Sequence, residues 1–300
     1  MLFESIIVPI DGSDSSRIAA DYGFWLASSL KASLTAQNVI DARMTDLLLA
    51  PEFAAESGIK IPLDASEKLL RAQKRIALLT LDLFKKQSQE HSIHGVKTCL
   101  DIGPVSTSIL KRSAKHDLTI IGHHGRSQQN EAEHSTGSVS RRIALDSNRS
   151  VLVASQPIQE LGHILLAYDG SATADSALVM AERLAVSLRK ELKVVHVAPS
   201  KQQFPKAKVL MQRAATHLNK AATAYSSAFD NGKQFLDKVT FIVREGQPAD
   251  TLIEFARVTN GLLVIGSNGS RPRSHKEFVG KTAAYIVRMM QTSVLVFRAE

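Results

Sequence analysis

Two aspartates stand directly after short apolar segments of the chain. Asp11 follows the run Ser-Ile-Ile-Val-Pro-Ile, Asp169 follows His-Ile-Leu-Leu-Ala-Tyr, and each begins an Asp-Gly-Ser sequence. Ligands of open α/β sheets bind beyond the carboxyl ends of the strands, where such residues would lie. Asp-Gly-Ser is also a favourable context for the start of a helix. The two aspartates are therefore predicted to mark two equivalent sites.

Glycines recur in an equally regular way. Each half has a Gly-x2-Gly motif after an apolar run and a further glycine where a helical pattern begins. Glycine lets the backbone approach a phosphate closely, and free N–H groups at a helix start favour negative charge. One such motif alone indicates only a tight turn, but its recurrence together with the aspartates favours phosphate binding. The glycines are Gly122, Gly125 and Gly137 in the first half and Gly266, Gly269 and Gly280 in the second.

Motifs of other nucleotide-binding classes are incomplete. Gly280-Lys281-Thr282 is similar to the end of a P-loop, but that motif needs glycine at position 275, where the chain has His275. No Gly-x-Gly-x-x-Gly follows the first strand of either half, which argues against a nicotinamide dehydrogenase.

Catalytic and metal-binding constellations are weaker still. Three histidines and two glutamates after the fourth strand could suggest zinc, but adjacent histidines after a strand point in different directions. They are His123, His124, His134, Glu131 and Glu133. No nucleophile elbow and no spacing typical of a catalytic triad is present. We therefore expect no dedicated catalytic centre and no protein metal site.

The two halves of the chain repeat the same order of elements. The strand before Asp11 matches the strand before Asp169 at an offset of 158 residues, and the same offset pairs residues 34–39 with 192–197. Later strands repeat as well, residues 119–121 with 263–265 and residues 150–153 with 293–296. Helical periodicity separates the strands. The longer helical segments are residues 15–30, 64–90, 171–188 and 203–230.

This order of elements predicts the fold. Strands that alternate with helices and read as continuous apolar runs indicate a parallel sheet with helices on both faces. We predict an α/β fold of two tandem Rossmann-like, doubly wound domains, each a five-stranded parallel sheet with helices on both faces. The domains are expected at residues 1–156 and 160–300, joined by the polar segment 154–162.

Composition restricts the class of protein. Of 300 residues, 44% are apolar and 22% are charged, which is typical of a globular protein. No apolar run approaches the roughly 20 residues of a membrane span, and the N-terminus lacks the features of a signal peptide, so we expect a cytoplasmic protein. Residues 158–300 carry 19 basic and 12 acidic side chains, but few aromatic residues lie among them. We interpret them as a solvated surface rather than a nucleic-acid footprint.

The chain resembles two universal stress proteins in tandem, over nearly its whole length. The family signature is Gly-x2-Gly-x9-Gly-Ser/Thr after the fourth strand, with an aspartate after the first. The resemblance implies binding of ATP or a related adenine nucleotide, with Mg²⁺. The aspartate and the valine that ends the second strand would flank adenine, and the glycines and the following turn would hold ribose and phosphates. The implied residues of the first half are Pro9, Asp11, Val39, Gly122, Gly125, Arg126, Gly137, Ser138, Val139 and Ser140. Those of the second half are Ala167, Asp169, Val197, Gly266, Gly269, Ser270, Gly280, Lys281 and Thr282.

Both halves depart from the signature. The loop before Gly137 has eleven residues and the loop before Gly280 has ten, where the family has nine, and Lys281 replaces serine or threonine. The charges around the two turns also differ, and this difference predicts tighter nucleotide binding in the second half. The residues concerned are Arg271, Arg273, Lys276 and Lys281 in the second half, against Arg126, Glu131 and Glu133 in the first.

Two classes of function fit these features. The first is a nucleotide-binding stress or regulatory module without dedicated catalysis. The second is an interaction or dimerisation protein of the same fold that binds no nucleotide; a slow, incidental ATPase is a third option.

The resemblance also implies that the last strands of two domains pair antiparallel, so residues 151–153 and 294–296 should meet within the chain or between two copies. Such pairing would cover apolar edges that otherwise promote aggregation.

Overall fold

A computed structural model describes residues 2–41, 65–124, 136–225, 238–267 and 279–299. The first half contains β1 (Ser5–Pro9), α1 (Asp14–Leu30), β2 (Ser33–Ile40), α2 (Ala65–Glu90), β3 (Lys97–Ile102), α3 (Val105–Ser113), β4 (Leu118–Gly122), α4 (Ser138–Asp146) and β5 (Ser150–Ala154). The second contains β6 (His163–Ala167), α5 (Ala172–Ser187), β7 (Leu192–Ala198), α6 (Phe204–Tyr225), β8 (Val239–Glu245), α7 (Pro248–Thr259), β9 (Gly261–Gly266), α8 (Lys281–Met289) and β10 (Val294–Phe297).

The strands form one ten-stranded sheet in the order β3-β2-β1-β4-β5-β10-β9-β6-β7-β8. Within each half the neighbouring strands are parallel, in the order 3-2-1-4-5. The second half repeats this arrangement. The predicted fold of two doubly wound α/β domains is confirmed. The expected limits of 1–156 and 160–300 remain our proposal for the domains, and a 3-10 turn at Ile158–Glu160 lies between β5 and β6.

Helices cover both faces of the sheet because the buried strands are apolar on both sides. Along β6, Ile164 and Leu166 belong to the buried core that also contains residues of α1, α2, α5 and α6, whereas Leu165 belongs to the core that contains residues of α3, α4, α7 and α8. The large side chains Tyr22 and Phe24 of α1 are fully buried in the first of these two cores. This two-sided burial places the ends of the strands, rather than the faces of the sheet, at the surface.

The two halves join through their last strands. β5 and β10 are antiparallel, and Val153, Leu152 and Val151 lie opposite Val294, Leu295 and Val296. These six side chains are buried. The expected pairing of residues 151–153 with 294–296 thus occurs within the chain, and it covers two apolar edges.

Among the described residues, no helix combines the length and the apolar character that a membrane span requires.

Candidate functional site

A cleft of about 360 Å³ lies at the carboxyl ends of β1, β2 and β4, between α2, α3 and α4. Every described residue of the site predicted for the first half lines it. These residues are Pro9, Asp11, Val39, Gly122, Gly137, Ser138, Val139 and Ser140. Gly125 and Arg126 lie outside the described residues. The folded chain therefore brings together residues that span 132 positions of sequence in one concave surface.

Asp11 is held in place by the turn that starts α1. Its Oδ1 accepts a hydrogen bond from the Ser13 backbone N–H at 2.9 Å. Ser13 is the N-cap of α1, and its hydroxyl accepts the Ser16 N–H at 3.2 Å. One carboxylate oxygen of Asp11 is thus used to build the turn, which fixes the side chain at the edge of the cleft.

Gly122 has a packing role that the sequence analysis did not include. A Cβ atom at this position would overlap the backbone carbonyl of Ser15 in the first turn of α1. The absence of a side chain lets α1 pack closely on the end of β4. Glycine is therefore required here by the fold, whatever binds in the cleft.

The start of α4 presents backbone N–H groups to the cleft. Gly137 is the N-cap and provides no side-chain hydrogen bond, and its own N–H donates to the His123 carbonyl at 2.8 Å. The first N–H groups of an α-helix have no acceptor within the helix. The hydroxyl of Ser140 is buried and donates to the Gly122 carbonyl, so it ties the helix to β4. An anion at this turn would therefore be held by the backbone N–H groups of residues 138–140 rather than by the Ser140 hydroxyl.

The opposite end of the cleft is apolar with a polar floor. Val39, Val105 and Ile109 line it. Gln37 lies on the same face of β2 as Val39 and is fully buried, and its Nε2 donates to Asp101 Oδ2 at 2.8 Å. Neighbouring Asn38 donates to the Ile10 carbonyl at 2.8 Å and ties β2 to the end of β1.

An ion pair supports the floor. Arg112 contacts both carboxylate oxygens of Asp101, with Nη2 donating to Oδ1 at 2.7 Å. The hydrogen bond from Arg112, followed by that from Gln37, holds the pKa of Asp101 below its ordinary value. Sequence reasoning missed this group. Two adjacent amides, Gln37 and Asn38, directly before the strand-ending Val39 were the signal that could have found it.

The adjacent histidines after β4 take different directions. His124 lines the cleft, and its buried Nδ1 has no hydrogen-bond partner among the described residues. His123 is buried and its Nε2 donates to the Met290 carbonyl at 2.8 Å. Burial, followed by the proximity of His124, lowers the pKa of His123 to about 4. The described residues contain no group of three metal-ligating side chains. Glu131, Glu133 and His134 lie outside the described part of the chain.

The universal stress protein family model matches residues 2–155 and again residues 160–298. The chain belongs to the universal stress protein family. A curated relative, universal stress protein Slr1230 of Synechocystis sp., is 24% identical over 98% of this chain and 100% of its own length.

Solved structures of the family share the tandem fold. A universal stress protein from Archaeoglobus fulgidus is similar with a TM-score of 0.66 and 18% identity, over 98% of each chain. A second, described as a putative universal stress protein from Pseudomonas aeruginosa, has a TM-score of 0.60 and 15% identity over 98% of this chain and 93% of its own. Two joined domains are therefore an arrangement that this universal stress protein has in common with both.

The second universal stress protein domain repeats the turns of the first. Asp169 accepts the Ser171 N–H at 3.0 Å, and Ser171 caps α5. Gly280 is the N-cap of α8 without a side-chain hydrogen bond, and its N–H donates to the Ser267 carbonyl at 2.7 Å. Lys281 and Thr282 are exposed in the first turn of α8. Ala167 and Gly266 end β6 and β9, and Gly269 and Ser270 lie outside the described residues.

Three substitutions make the second site different. Val195 replaces Gln37 at the matching position of β7, and Ala283 replaces Ser140 in α8. At the position of Asp101, opposite the strand-ending valine, the second half has Arg244, which lies over the Phe255 ring at 4.9 Å.

The turn after β6 is also covered. Leu210 of α6 lies so close to Gly170 that a Cβ atom there would overlap its Cδ1. Val197, which is implied beside adenine, is 8% exposed, whereas Val39 is only partly buried. Among the described residues, the second half thus has the same turns but more apolar surroundings, with Leu210 over Gly170.

Proposed function

We propose that this universal stress protein binds ATP or a related adenine nucleotide in the first-half cleft and acts as a regulatory module without dedicated catalysis. The observation that carries the proposal is the single cleft that joins an apolar pocket at β2 to the start of α4, where the N-cap Gly137 provides no side-chain hydrogen bond. The pocket suits a flat base, and the helix start suits a phosphate.

The order of strands supports this placement. β2, β1 and β4 are neighbours, and adjacent strands lie about 4.8 Å apart, so the three strand ends span about 10 Å. Val39, Asp11 and Gly137 follow one another across that span. Adenine between Val39 and Asp11, ribose at Gly122 and phosphates at residues 137–140 would match the order of groups in the nucleotide.

Electrostatics supports the phosphate end. A helix N-terminus carries about half a positive charge, which stabilises an anion beside it. Magnesium would be held through the phosphates, because the described residues contain no group of three His, Cys, Asp or Glu side chains that could bind it alone.

The proposal departs from the charge-based expectation of tighter binding in the second half. Arg271, Arg273 and Lys276, on which that expectation depends, lie outside the described residues. Among the described contacts, the close cover of Gly170 by Leu210 and the deeper burial of Val197 favour the first half. We therefore place the stronger site at Gly137 rather than at Gly280.

The proposed assembly is a pseudo-dimer within one chain, since β5 and β10 already cover each other's edges. The proposed location is the cytoplasm, as expected from the sequence. No nucleic-acid function is proposed.

Mass spectrometry of the small molecule released by denaturing the purified protein tests the nucleotide directly. Calorimetry of stripped protein with ATP, ADP and AMP, each with and without Mg²⁺, gives affinity and stoichiometry. We expect ATP to bind, and to bind more tightly with Mg²⁺. Absence of binding by all three nucleotides would instead support an interaction protein, and multiple-turnover release of phosphate would support an ATPase.

A further inference from the structure

Gln37 occupies a position where the fold itself does not need an amide. It is fully buried in the middle of β2 and lines the first-half cleft. The matching position of the second half is Val195, which is equally buried in the same type of strand. The fold therefore does not account for a polar side chain at this position of the first half, and we look for its reason in what the cleft binds.

The direction of the Gln37 amide is determined by its neighbours. Nε2 donates to Asp101 Oδ2 at 2.8 Å and to the Ser108 carbonyl at 3.2 Å, and both of these atoms can only accept. A flipped amide would place oxygen against two oxygens. Arg112 in turn holds Asp101 through both of its carboxylate oxygens. Asp101 and Ser108 thus impose the orientation of Gln37 Oε1, and Arg112 holds Asp101 in place.

Gln37 Oε1 is buried and has no hydrogen-bond partner among the described residues. An acceptor left unsatisfied in a protein interior costs free energy, and such atoms call for a specific explanation. The polar partner that this atom lacks must be a hydrogen-bond donor. Gln37 lies one pleat deeper in the cleft than Val39, on the side where the base is placed.

We propose that Gln37 determines the base specificity of the first-half cleft, with Oε1 accepting a hydrogen bond from the exocyclic amino group of adenine. The inference rests on the proposed function and adds a selection between nucleotides. Asp101 and Arg112 are positioning residues, since they act through the orientation of Gln37. Hypoxanthine has a carbonyl oxygen where adenine has the amino group, so two acceptors would face each other.

The expected selection is measurable. A buried polar group that loses its partner rejects an analogue strongly, and we expect ATP to bind about tenfold to a hundredfold more tightly than ITP. The second half, with Val195 at the matching position, should contribute no such preference.

Calorimetry of the stripped full-length protein with ATP and with ITP is the test. Gln37→Met keeps the length of the side chain without its oxygen, and should weaken ATP binding and strengthen ITP binding, because the facing acceptor is gone, so that the ratio approaches one. Gln37→Asn withdraws the amide by one methylene group and provides the same test of the ATP to ITP affinity ratio if the methionine variant does not fold. Val195→Met places the same new side chain in the second half and should leave the ratio at its wild-type value.

Equal affinity of the wild-type protein for ATP and ITP overturns the inference without any variant. An unchanged ratio in both folded Gln37 variants overturns it as well. Either result leaves nucleotide binding intact, whereas binding of neither nucleotide would overturn the proposed function itself.

Discussion

His123 of the first half donates a hydrogen bond from Nε2 to the carbonyl oxygen of Met290 in the second half, at a distance of 2.8 Å. Thr136, which directly precedes Gly137, adds a backbone hydrogen bond to the Arg288 carbonyl at 3.2 Å and a hydroxyl hydrogen bond to the Val287 carbonyl. These acceptors lie in the last turn and at the C-cap of α8, the helix whose N-cap is Gly280. The turn at Gly137 is thus supported by the helix that follows Gly280.

Removing one of these contacts should loosen the first turn. Thr136→Val deletes the hydroxyl without changing the shape of the side chain, and we expect a loss of about 1 kcal/mol of unfolding free energy. ATP affinity should fall severalfold, because the turn at Gly137 must then be ordered by the ligand. Thr259→Val removes a comparable hydroxyl bond, to the Phe255 carbonyl, away from the first cleft. That control should lose stability but retain affinity; equal affinity in both variants would show that the contact does not support the site.

Stability should fall as the pH is lowered from 6.5 toward 4. Burial is the first cause that lowers the pKa of His123 and of His163 to about 4. The unfolded chain takes up protons near the ordinary histidine value of 6.5, whereas the folded chain does so only near 4. The stability that comes from keeping these histidines neutral is therefore fully present above pH 6.5 and is lost as the pH falls from 6.5 to 4. Between pH 6.5 and pH 5 the loss of unfolding free energy is at most about 2 kcal/mol per histidine. Urea unfolding at pH 6.5 and at pH 5 measures this loss. The difference in unfolding free energy between the two pH values should be smaller for His123→Gln and for His163→Gln than for wild type; an equal difference in both variants would mean that neither histidine is held neutral.

The prediction from sequence was good where local patterns carry the information. Alternating strands and helices, the Asp-Gly-Ser turns at Asp11 and Asp169, and the helix-opening glycines recur in both halves, and each follows from backbone preferences. Contacts between elements could not be predicted in that way. The overlap that a side chain at Gly122 would make with Ser15, and the inward turn of the Ser140 hydroxyl, depend on how closely α1 and α4 pack on the sheet. The adjacent amides Gln37 and Asn38 mark a polar point in β2, but the role of Gln37 depends on Asp101, which lies 64 residues away.

Arg298 is expected to stabilise the joint between the halves. Its guanidinium donates to the carbonyls of Ala144, at 2.7 Å, Leu145 and Arg149, so it closes the end of α4. Arg298→Met should cost about 2–4 kcal/mol of unfolding free energy, because several partly buried carbonyls lose a charged donor.

Lysine cannot present the same planar set of donors, so Arg298→Lys should restore little of this loss. Arg257→Met, which removes an exposed pair with Glu254, is the matched control and should change the unfolding midpoint very little. Full stability of the lysine variant would show that charge alone matters at Arg298.

Gly122→Ala should destabilise the protein independently of ligand. The added methyl group would meet the Ser15 backbone, which cannot move as a side-chain end could, and we expect a loss of about 3 kcal/mol. Gly95→Ala, at a positive φ of 74° with nothing nearby, is the comparison and should lose about 1 kcal/mol through backbone strain alone. Thermal unfolding of both ligand-free variants measures the difference, and a Gly122 variant as stable as the Gly95 variant would contradict the close packing of α1 on β4.

The central claim is that nucleotide binds at the helix start of the first half. Calorimetric titration of ATP with Mg²⁺ into stripped full-length protein should be compared for wild type, Gly137→Val and Gly280→Val. Both glycines are N-caps with negative φ, so valine adds bulk beside the phosphates without imposing a left-handed backbone. We predict at least about a tenfold loss of affinity in Gly137→Val and little change in Gly280→Val, since bulk at the turn displaces the phosphate from the helix N–H groups. Unchanged ATP affinity in Gly137→Val, or a loss confined to Gly280→Val, would contradict the placement of the site in the first half.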